Sequence, residues 1–173
     1  IPRPETELLV EKGIAWMQRS KVRRTVADVG TGSGIIAITI AANIPDARIL
    51  ATDISPAALQ VAQNNASKFR VDDRIRFVEC DILPPHPKSL PTEEHFDLLC
   101  ANLPYIPTET LHSLPVYGRE PTLALDGGAD GLDLFRRLMK VAPEWMAPNS
   151  LILLEIEATL GVRALNLACD MFS

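Results

Sequence analysis

Four residues that could hold a flat nitrogen group, Asn102-Leu103-Pro104-Tyr105, directly follow an apolar run at 96–101. The run predicts a buried strand, and ligands of open parallel sheets bind at the carboxyl ends of strands. The Asn102 amide oxygen and the Leu103 carbonyl can each accept a hydrogen bond from an amide or amino group. Pro104 restricts Leu103 to extended backbone, and the Tyr105 ring can stack on a planar group. We therefore predict these four residues as the catalytic site.

A glycine-rich segment, Asp-Val-Gly-Thr-Gly-Ser-Gly at 28–34, joins a predicted strand to a predicted helix. Glycines permit tight turns and let a ligand approach backbone N–H groups. Dinucleotide-binding loops read Gly-x-Gly-x-x-Gly, but here the third glycine comes one residue early and Ile35 holds the last position of that pattern. Gly-x-Gly-x-Gly after an acidic residue is more typical of S-adenosylmethionine sites, since that cofactor has no pyrophosphate. The predicted cofactor-binding residues of this segment are Asp28, Gly30, Thr31, Gly32, Ser33 and Gly34.

Two carboxylates follow the next two predicted strands. Asp53 closes the strand at 48–52 and could accept both ribose hydroxyls of a nucleoside. Asp81 follows the strand at 74–79 and could accept from the adenine amino group, while Ile82 covers the ring. A helix-capping role for Asp53 and a plain turn role for Asp81 are the alternatives. The predicted cofactor site is completed by Asp53, Ile54, Asp81, Ile82 and Asn102.

Methyl transfer to an amide nitrogen depends on orientation, because displacement at a sulfonium is in line and the amide lone pair is delocalised. Two acceptors aimed at the N–H groups fix the plane of the substrate and stabilise the positive charge that forms on nitrogen. No strong base is needed, since the proton can leave after the methyl group arrives. Together with the glycine-rich segment, the acceptors predict methylation of a planar nitrogen.

Helical and strand patterns alternate along the chain, which indicates βαβ units. We predict one α/β domain over 1–173, with a leading helix and motif in 1–20 and a Rossmann-like core of parallel sheet with helices on both faces in 25–173. The predicted helices are 5–19, 35–43, 55–69, 133–146 and 162–171, and the predicted strands are 25–29, 48–52, 74–79, 96–101 and 150–156. The segments 81–94 and 104–131 are predicted loops, and the length of the second is typical of a functional loop.

Composition excludes several classes of function. The chain has 173 residues, 47% of them hydrophobic, and a net charge of −5, which suits one globular domain and disfavours a large nucleic-acid interface. Cys80, Cys100 and Cys169 show no pairing pattern, which favours a reducing cytoplasm. The histidines lack ligand spacing, so we expect no metal site. No run approaches the roughly 18 apolar residues of a membrane helix, so we expect no membrane partner.

The chain resembles the HemK-type protein-glutamine methyltransferases in motifs that run from Ile1 to about Glu155. These motifs are Pro2-Arg3-Pro4-Glu5-Thr6-Glu7, the glycine-rich segment, Asp53, Asn102 to Tyr105, Glu120-Pro121, Ala124-Leu125-Asp126-Gly127-Gly128 and Asp130-Gly131-Leu132. The first motif and the Glu-Pro…Gly-Gly segment are more specific than Asn-x-Pro-Tyr, because related motifs serve methyltransferases of adenine and guanine amino groups. The resemblance implies a class I S-adenosylmethionine-dependent fold and methylation of the glutamine amide in the Gly-Gly-Gln loop of class-one peptide chain release factors.

The resemblance places the cofactor at 30–34, Asp53 and 81–82, and the glutamine at 102–105. Leu103 stands where the family usually has Pro, and because a carbonyl carries the role, we expect activity to survive. Glu157 stands where the family usually has Gly. The family's N-terminal helical domain, which helps to grip the release factor, and its last two strands are expected to be absent from this chain. We therefore expect cofactor binding with weak methylation.

Three other functions stay open from the sequence. An amino-group methyltransferase of RNA or DNA would need a basic face or a target-recognition domain. A ribosomal-protein glutamine methyltransferase would differ mainly in the N-terminal region. A non-catalytic cofactor-binding module could dock a partner through 104–131, but the intact Asn102 and Tyr105 argue against it.

Overall fold

The computed structural model describes residues 4–20, 24–85, 95–119 and 121–171. The chain forms two compact units. The first consists of Ile1–Asn102 with Glu144–Glu155, and the second of Leu103–Pro143 with Ile156–Ser173. Of the described helices, none is both long enough and apolar enough to cross a membrane.

A parallel sheet forms the centre of the first unit. Its described strands are β1 (Thr25–Val29), β2 (Arg48–Asp53), β3 (Ile75–Glu79), β4 (Phe96–Ala101) and β5 (Met146–Leu154). They lie in the order β3-β2-β1-β4-β5, and every neighbouring pair is parallel. The chain order reverses beside β1, and such a switch point opens a crevice at the carboxyl ends of the strands. The predicted α/β sheet is confirmed.

Three helices of the first unit pack on this sheet: α1 (Pro4–Arg19), α2 (Ile35–Asn43) and α3 (Pro56–Phe69). Every residue of β4 is buried, as expected for a central strand covered on both faces. The start of α3 follows from its sequence, because Ser55 Oγ accepts from the Ala58 N–H and Pro56 occupies the first helical position.

The second unit contains α4 (Thr108–Leu111), α6 (Gly161–Met171) and most of α5 (Asp133–Trp145). The segment 104–131 is more ordered than the predicted loop. It includes α4, a 3₁₀ turn at Thr122–Ala124 and a parallel bridge between Ile106 and Asp126. Two glycines let its ends meet, since a Cβ on Gly127 would lie 2.6 Å from Tyr105 Cα and one on Gly131 would lie 2.4 Å from Tyr105 O.

Both ends of β5 differ from the prediction, which placed the strand at 150–156, because the strand begins four residues earlier and ends two residues earlier. Phe96 pairs with Met146 and Leu98 with Leu151, so the stretch between the two pairs contains more residues in β5 than in β4. A bulge takes up the excess, with Asn149 in the left-handed region at φ 61°. Because the bulge interrupts the alternation of side chains between the two faces of the sheet, the sequence does not predict the first half of β5. The other predicted helices and strands agree with the structure to within one residue.

Candidate functional site

The glycine loop, residues 28–34, leads from the end of β1 into α2. Gly30, Gly32 and Gly34 have φ angles of 69°, 56° and 84°, a conformation that explains the Gly-x-Gly-x-Gly spacing. A Cβ on Gly34 would also lie 3.0 Å from Ala62 Cβ, so the loop approaches α3 closely there. Around the corresponding position at Gly32, no atom of the described residues lies within 4 Å, apart from those of Gly32 itself and its two neighbours in the chain. The loop is therefore open to a ligand beside Gly32.

Asp28 supports the glycine loop from the interior. Its fully buried Oδ2 accepts from Thr31 Oγ1 at 2.6 Å and from the Ala37 N–H at 3.1 Å. Ala37 lies in the first turn of α2, and the N-cap residue Gly34 has no side chain, so Asp28 supplies the missing capping bond. The pKa of Asp28 is raised to about 6 by burial, against the opposing effect of these two bonds. Its described bonds shape the loop, while its contact with a cofactor stays a prediction.

Asp53 stands at the end of β2 beside the glycine loop. Its Oδ2 accepts from the Gly32 N–H and its Oδ1 from the Ser55 N–H, both at 2.9 Å. The bond from the Ser55 N–H forms a local turn before α3, while the N-cap of that helix is Ser55. A carboxylate oxygen can accept two hydrogen bonds. Asp53 is half-buried, so each of its oxygens can still accept a second bond from a hydroxyl group of a ligand. Ile54 is exposed.

Asp81 and Ile82 lie beyond the third strand, which ends at Glu79. Asp81 is exposed and Ile82 half-buried. Ile82 has a φ of 67°, which is strained for a β-branched residue, and its carbonyl accepts from Thr52 Oγ1 at 2.6 Å. Strain of this kind concentrates at ligand sites. The bond from Thr52, which directly precedes Asp53, thus holds the backbone of Ile82, the residue predicted to cover the adenine.

Asn102 follows β4 and joins a chain of three polar side chains within the first unit, which we call the amide relay (Asn102, Thr6 and Glu155). Asn102 Nδ2 donates to Thr6 Oγ1 at 3.1 Å, and Thr6 Oγ1 donates to Glu155 Oε2 at 2.5 Å. Thr6 and Glu155 are both buried. Because Ala101 and Leu154 are paired in the sheet, Asn102 and Glu155 occupy equivalent positions after β4 and β5.

Sequence reasoning missed the roles of Thr6 and Glu155. Thr6 lies in the Pro-Arg-Pro-Glu-Thr-Glu motif, for which the sequence predicts no contact with Asn102, and Glu155 lies inside the predicted strand 150–156. A usable signal was present, since Glu155 is an acidic residue after an apolar run, like Asp53. Arg3 and Glu120, for which the sequence predicts no role, lie outside the described residues, as does the 86–94 part of the 81–94 loop. Glu5 is exposed on α1.

Leu103, Pro104 and Tyr105 belong to the second unit, whereas Asn102 is the last residue of the first. All three are half-buried. Just beyond them, the Ile106 N–H donates to the Leu125 carbonyl at 3.1 Å. The predicted catalytic segment therefore spans the boundary between the units, and the roles of its members stay predictions.

The Ala-Leu-Asp-Gly-Gly and Asp-Gly-Leu motifs build the second unit. Asp126 Oδ1 accepts from Thr108 Oγ1 at 2.7 Å and from the Gly128 N–H at 3.0 Å. Asp130 receives two bonds from Arg136, at 2.9 and 2.5 Å, and one from Arg163. The Arg136 guanidinium holds the pKa of Asp130 well below its usual range. These motifs tie the segment after Tyr105 to α5 and α6.

Comparison with known proteins identifies the family. A family model described as ribosomal protein L11 methyltransferase (PrmA) matches residues 11–113, more than half of the chain. The chain belongs to this methyltransferase family. The match includes the glycine loop, Asp53 and the segment from Asn102 to Tyr105.

Curated relatives match over a longer range. The release factor glutamine methyltransferase of Moorella thermoacetica is 46% identical over 169 residues, which are 97% of this chain and 58% of the relative. That of Geobacter sulfurreducens is 36% identical over 180 residues, covering 100% of this chain and 60% of the relative. The resemblance to HemK-type glutamine methyltransferases is confirmed. The chain spans about 60% of the length of these relatives.

Solved structures confirm the fold. The ribosomal protein L11 methylase of Lactobacillus delbrueckii subsp. bulgaricus superposes with a TM-score of 0.67 at 20% identity, covering 98% of this chain and 69% of that one. An S-adenosylmethionine-dependent methyltransferase of Geobacter sulfurreducens, solved with S-adenosyl-L-homocysteine, gives 0.52 at 18% identity, with coverages of 88% and 47%. At these identities the likeness concerns the fold alone. The predicted class I methyltransferase fold is correct.

Proposed function

We propose that this chain carries the catalytic part of an S-adenosylmethionine-dependent enzyme that methylates a glutamine side-chain amide in a class-one peptide chain release factor. The observation that carries the proposal is the hydrogen bond from Asn102 Nδ2 to Thr6. This bond occupies the nitrogen end of the amide, so the oxygen end is the one offered to a substrate. A carbonyl oxygen at the end of β4 suits a substrate that brings N–H donors.

The residues around the glycine loop fit S-adenosylmethionine. The open space beside Gly32 admits a ligand to the loop backbone, and Asp53 keeps acceptor capacity for the ribose hydroxyls. Asp81 and Ile82 would contact the adenine, and Ile54 would flank the ribose position. When bound, the cofactor supplies an electrophilic methyl group. The solved Geobacter sulfurreducens methyltransferase, which holds S-adenosyl-L-homocysteine on this fold, supports the proposal.

Asn102 and Leu103 would orient the glutamine. Asn102 Oδ1 and the Leu103 carbonyl accept from its two N–H groups, which fixes the amide plane and stabilises positive charge on the nitrogen. Pro104 restricts Leu103 to extended backbone, and the Tyr105 ring stacks on the amide plane. The main chain of Leu103 carries the role, so the leucine side chain is compatible with activity.

Two protein substrates compete for this assignment. The family model and one structural neighbour name ribosomal protein L11, which makes it the second candidate. The relatives named release factor glutamine methyltransferase cover 97–100% of the chain, whereas the family model stops at residue 113. Their matches therefore extend over the Asp126 and Asp130 motifs, which favours the release factor and its Gly-Gly-Gln loop. The net charge of −5 disfavours direct binding to nucleic acid.

A cytoplasmic site of action follows from this assignment, because peptide chain release factors act on ribosomes. Two of the cysteines agree with a reducing compartment, since Cys80 and Cys100 are free thiols.

The substrate is tested with the protein as its gene encodes it and S-adenosylmethionine labelled on the methyl group. Equal amounts of a class-one release factor, ribosomal protein L11 and ribosomal RNA are offered separately. We expect label in the release factor and loss of that label when the glutamine of its Gly-Gly-Gln loop is replaced by alanine. Label in L11 or RNA instead, or label that survives the glutamine replacement, contradicts the proposal.

The role of Asn102 is tested by Asn102→Ala. Removing one of two preorganised acceptors should lower the methyl-transfer rate by about 100-fold or more, with cofactor affinity within about 3-fold because the glycine loop and Asp53 remain. Single-turnover rates and calorimetric cofactor titration measure the two quantities. Asn43→Ala is the matched control, since Asn43 is exposed at the end of α2. An equal loss of rate and cofactor affinity would make Asn102 a cofactor ligand rather than a substrate acceptor.

A further inference from the structure

We propose that Thr6 and Glu155 are positioning residues that determine which end of the Asn102 amide faces the substrate. The inference rests on the proposed function, because it concerns the acceptor for the substrate nitrogen. The three residues form the amide relay within the first unit, where the beginning of α1 meets the ends of β4 and β5.

The direction of each bond in the amide relay follows from the protons available. The Glu155 carboxylate accepts only, and the Thr6 hydroxyl has one proton. Thr6 Oγ1 lies 2.5 Å from Glu155 Oε2, so the hydroxyl proton is donated to Glu155. The Thr6 oxygen can then only accept from its other neighbour, so the atom of Asn102 at 3.1 Å must be the nitrogen. The Glu155 carboxylate, at one end of the amide relay, thus fixes the orientation of the Asn102 amide at the other end.

The opposite orientation of the Asn102 amide is disfavoured, because Thr6 and Glu155 share a single proton. The two ends of an asparagine amide have nearly the same shape, so hydrogen bonds alone decide between them. Turning the amide over would place Asn102 Oδ1 against the Thr6 oxygen with no proton between them. It would also aim N–H groups at a substrate that itself brings N–H donors. Glu155 therefore acts on the substrate through two intervening side chains.

The environment makes the amide relay rigid. Thr6 is 6% and Glu155 8% exposed, so water competes poorly for their bond. A bond from a hydroxyl to a carboxylate is also stronger than one between neutral groups. Glu155 Oε1 has no partner among the described residues, which is a cost for a buried charge. A neutral residue would avoid that cost, but only an acceptor without protons fixes the direction of both bonds.

Three variants of the protein as its gene encodes it test the inference. Thr6→Val keeps the shape but removes the hydroxyl, and we expect kcat for release factor methylation to fall about 10- to 100-fold. The cofactor Kd should stay within about 3-fold, because the glycine loop is untouched. Thr6→Ser keeps the hydroxyl and should restore most of the kcat. Glu155→Gln brings its own N–H donors, which allows both orientations of Asn102, so an intermediate loss is expected.

A spectroscopic measurement separates positioning from general support. The side-chain NH₂ resonances of Asn102, assigned by their absence in Asn102→Ala, report the bond to Thr6. They should shift and lose exchange protection in Thr6→Val and return towards wild type in Thr6→Ser. Thr39→Val in α2 and Glu144→Gln at the exposed end of α5 are the matched controls, and both should leave kcat unchanged.

The outcomes distinguish the two proposals. A wild-type protein that methylates no release factor overturns the proposed function. If the wild type is active and Thr6→Val retains its kcat, the positioning role is wrong while the function stands. If Thr6→Val does not fold, Glu155→Gln decides, and a wild-type kcat in that variant overturns the inference. A Thr6→Ser variant as impaired as Thr6→Val, with cofactor affinity lost in both, assigns Thr6 to the fold alone and also overturns it.

Discussion

Two buried carboxylates support the two parts of the candidate site, and they act over very different separations in the chain. Asp28 accepts from residues 3 and 9 positions away, whereas Glu155 accepts from Thr6, 149 positions away. In each carboxylate, one oxygen is hydrogen-bonded and the other lacks a partner among the described residues. Asp28 maintains a backbone shape, and Glu155 maintains the orientation of a side chain.

This difference predicts that the two carboxylates affect different steps. The backbone shaped by Asp28 is the glycine loop, so losing the hydrogen bonds to Asp28 should weaken cofactor binding and lower the stability of the first unit. Glu155 acts on Asn102, so disturbing it should slow transfer while cofactor binding persists. The comparison fails if a change near Asp28 acts mainly on transfer.

The largest stability effect is expected from Asp28→Asn as a function of pH. Since burial raises the pKa of Asp28 from 3.8 to about 6, the folded state binds a proton more tightly than the unfolded state. Wild-type stability should therefore fall as pH rises through this interval, and the full penalty of about 3 kcal/mol applies above it. Asparagine can still accept from Thr31 and Ala37 but does not ionise. The unfolding free energy of Asp28→Asn minus that of the wild type should therefore increase by about 3 kcal/mol between pH 3.5 and 7.

Urea denaturation of both proteins at a series of pH values measures this difference. Asp72→Asn, at an exposed position, is the control and should run parallel to wild type. A constant difference between Asp28→Asn and wild type across the range would show that folding does not raise the pKa of Asp28.

Thr31→Val should have the next largest effect. It removes the hydroxyl that donates to Asp28 Oδ2, and a lost hydrogen bond to a buried carboxylate costs about 2 kcal/mol of unfolding free energy. The distorted loop should bind the cofactor about 10-fold more weakly, equivalent to about 1.4 kcal/mol. At saturating cofactor, the transfer rate should stay near wild type. Thr6→Val should show the opposite pattern, and identical patterns in the two variants would remove the distinction between the carboxylates.

The smallest effect is expected from Asn65→Ala, which removes the bond from Asn65 Nδ2 to the Ser33 carbonyl at 3.0 Å. This bond also ties the glycine loop to α3, but it is exposed, so water can replace it. Thermal denaturation should show a loss below about 1 kcal/mol. A loss as large as that of Thr31→Val would mean that surface contacts, and not Asp28, hold the loop.

Much of the fold could be predicted because its signals are local. Ser55 and Pro56 mark the start of α3, and alternating glycines mark the loop before α2. The first half of β5 could not be predicted, since the bulge at Asn149 breaks the alternation that identifies a strand. The order within 104–131 also escaped prediction, because the bridge between Ile106 and Asp126 joins segments that have no regular pattern of their own.

The sequence by itself determined the glycine loop, the position of Asp53 at a strand end and the Asn-x-Pro-Tyr segment. Each depends on backbone conformations and hydrogen bonds within a few residues. Only the tertiary structure decided that Thr6, Asn102 and Glu155 meet, because docking α1 against the ends of β4 and β5 brings together residues 96 and 149 positions apart. That meeting selects the end of the Asn102 amide that remains for the substrate, since a chain of hydrogen bonds has a direction only when all its members are in place.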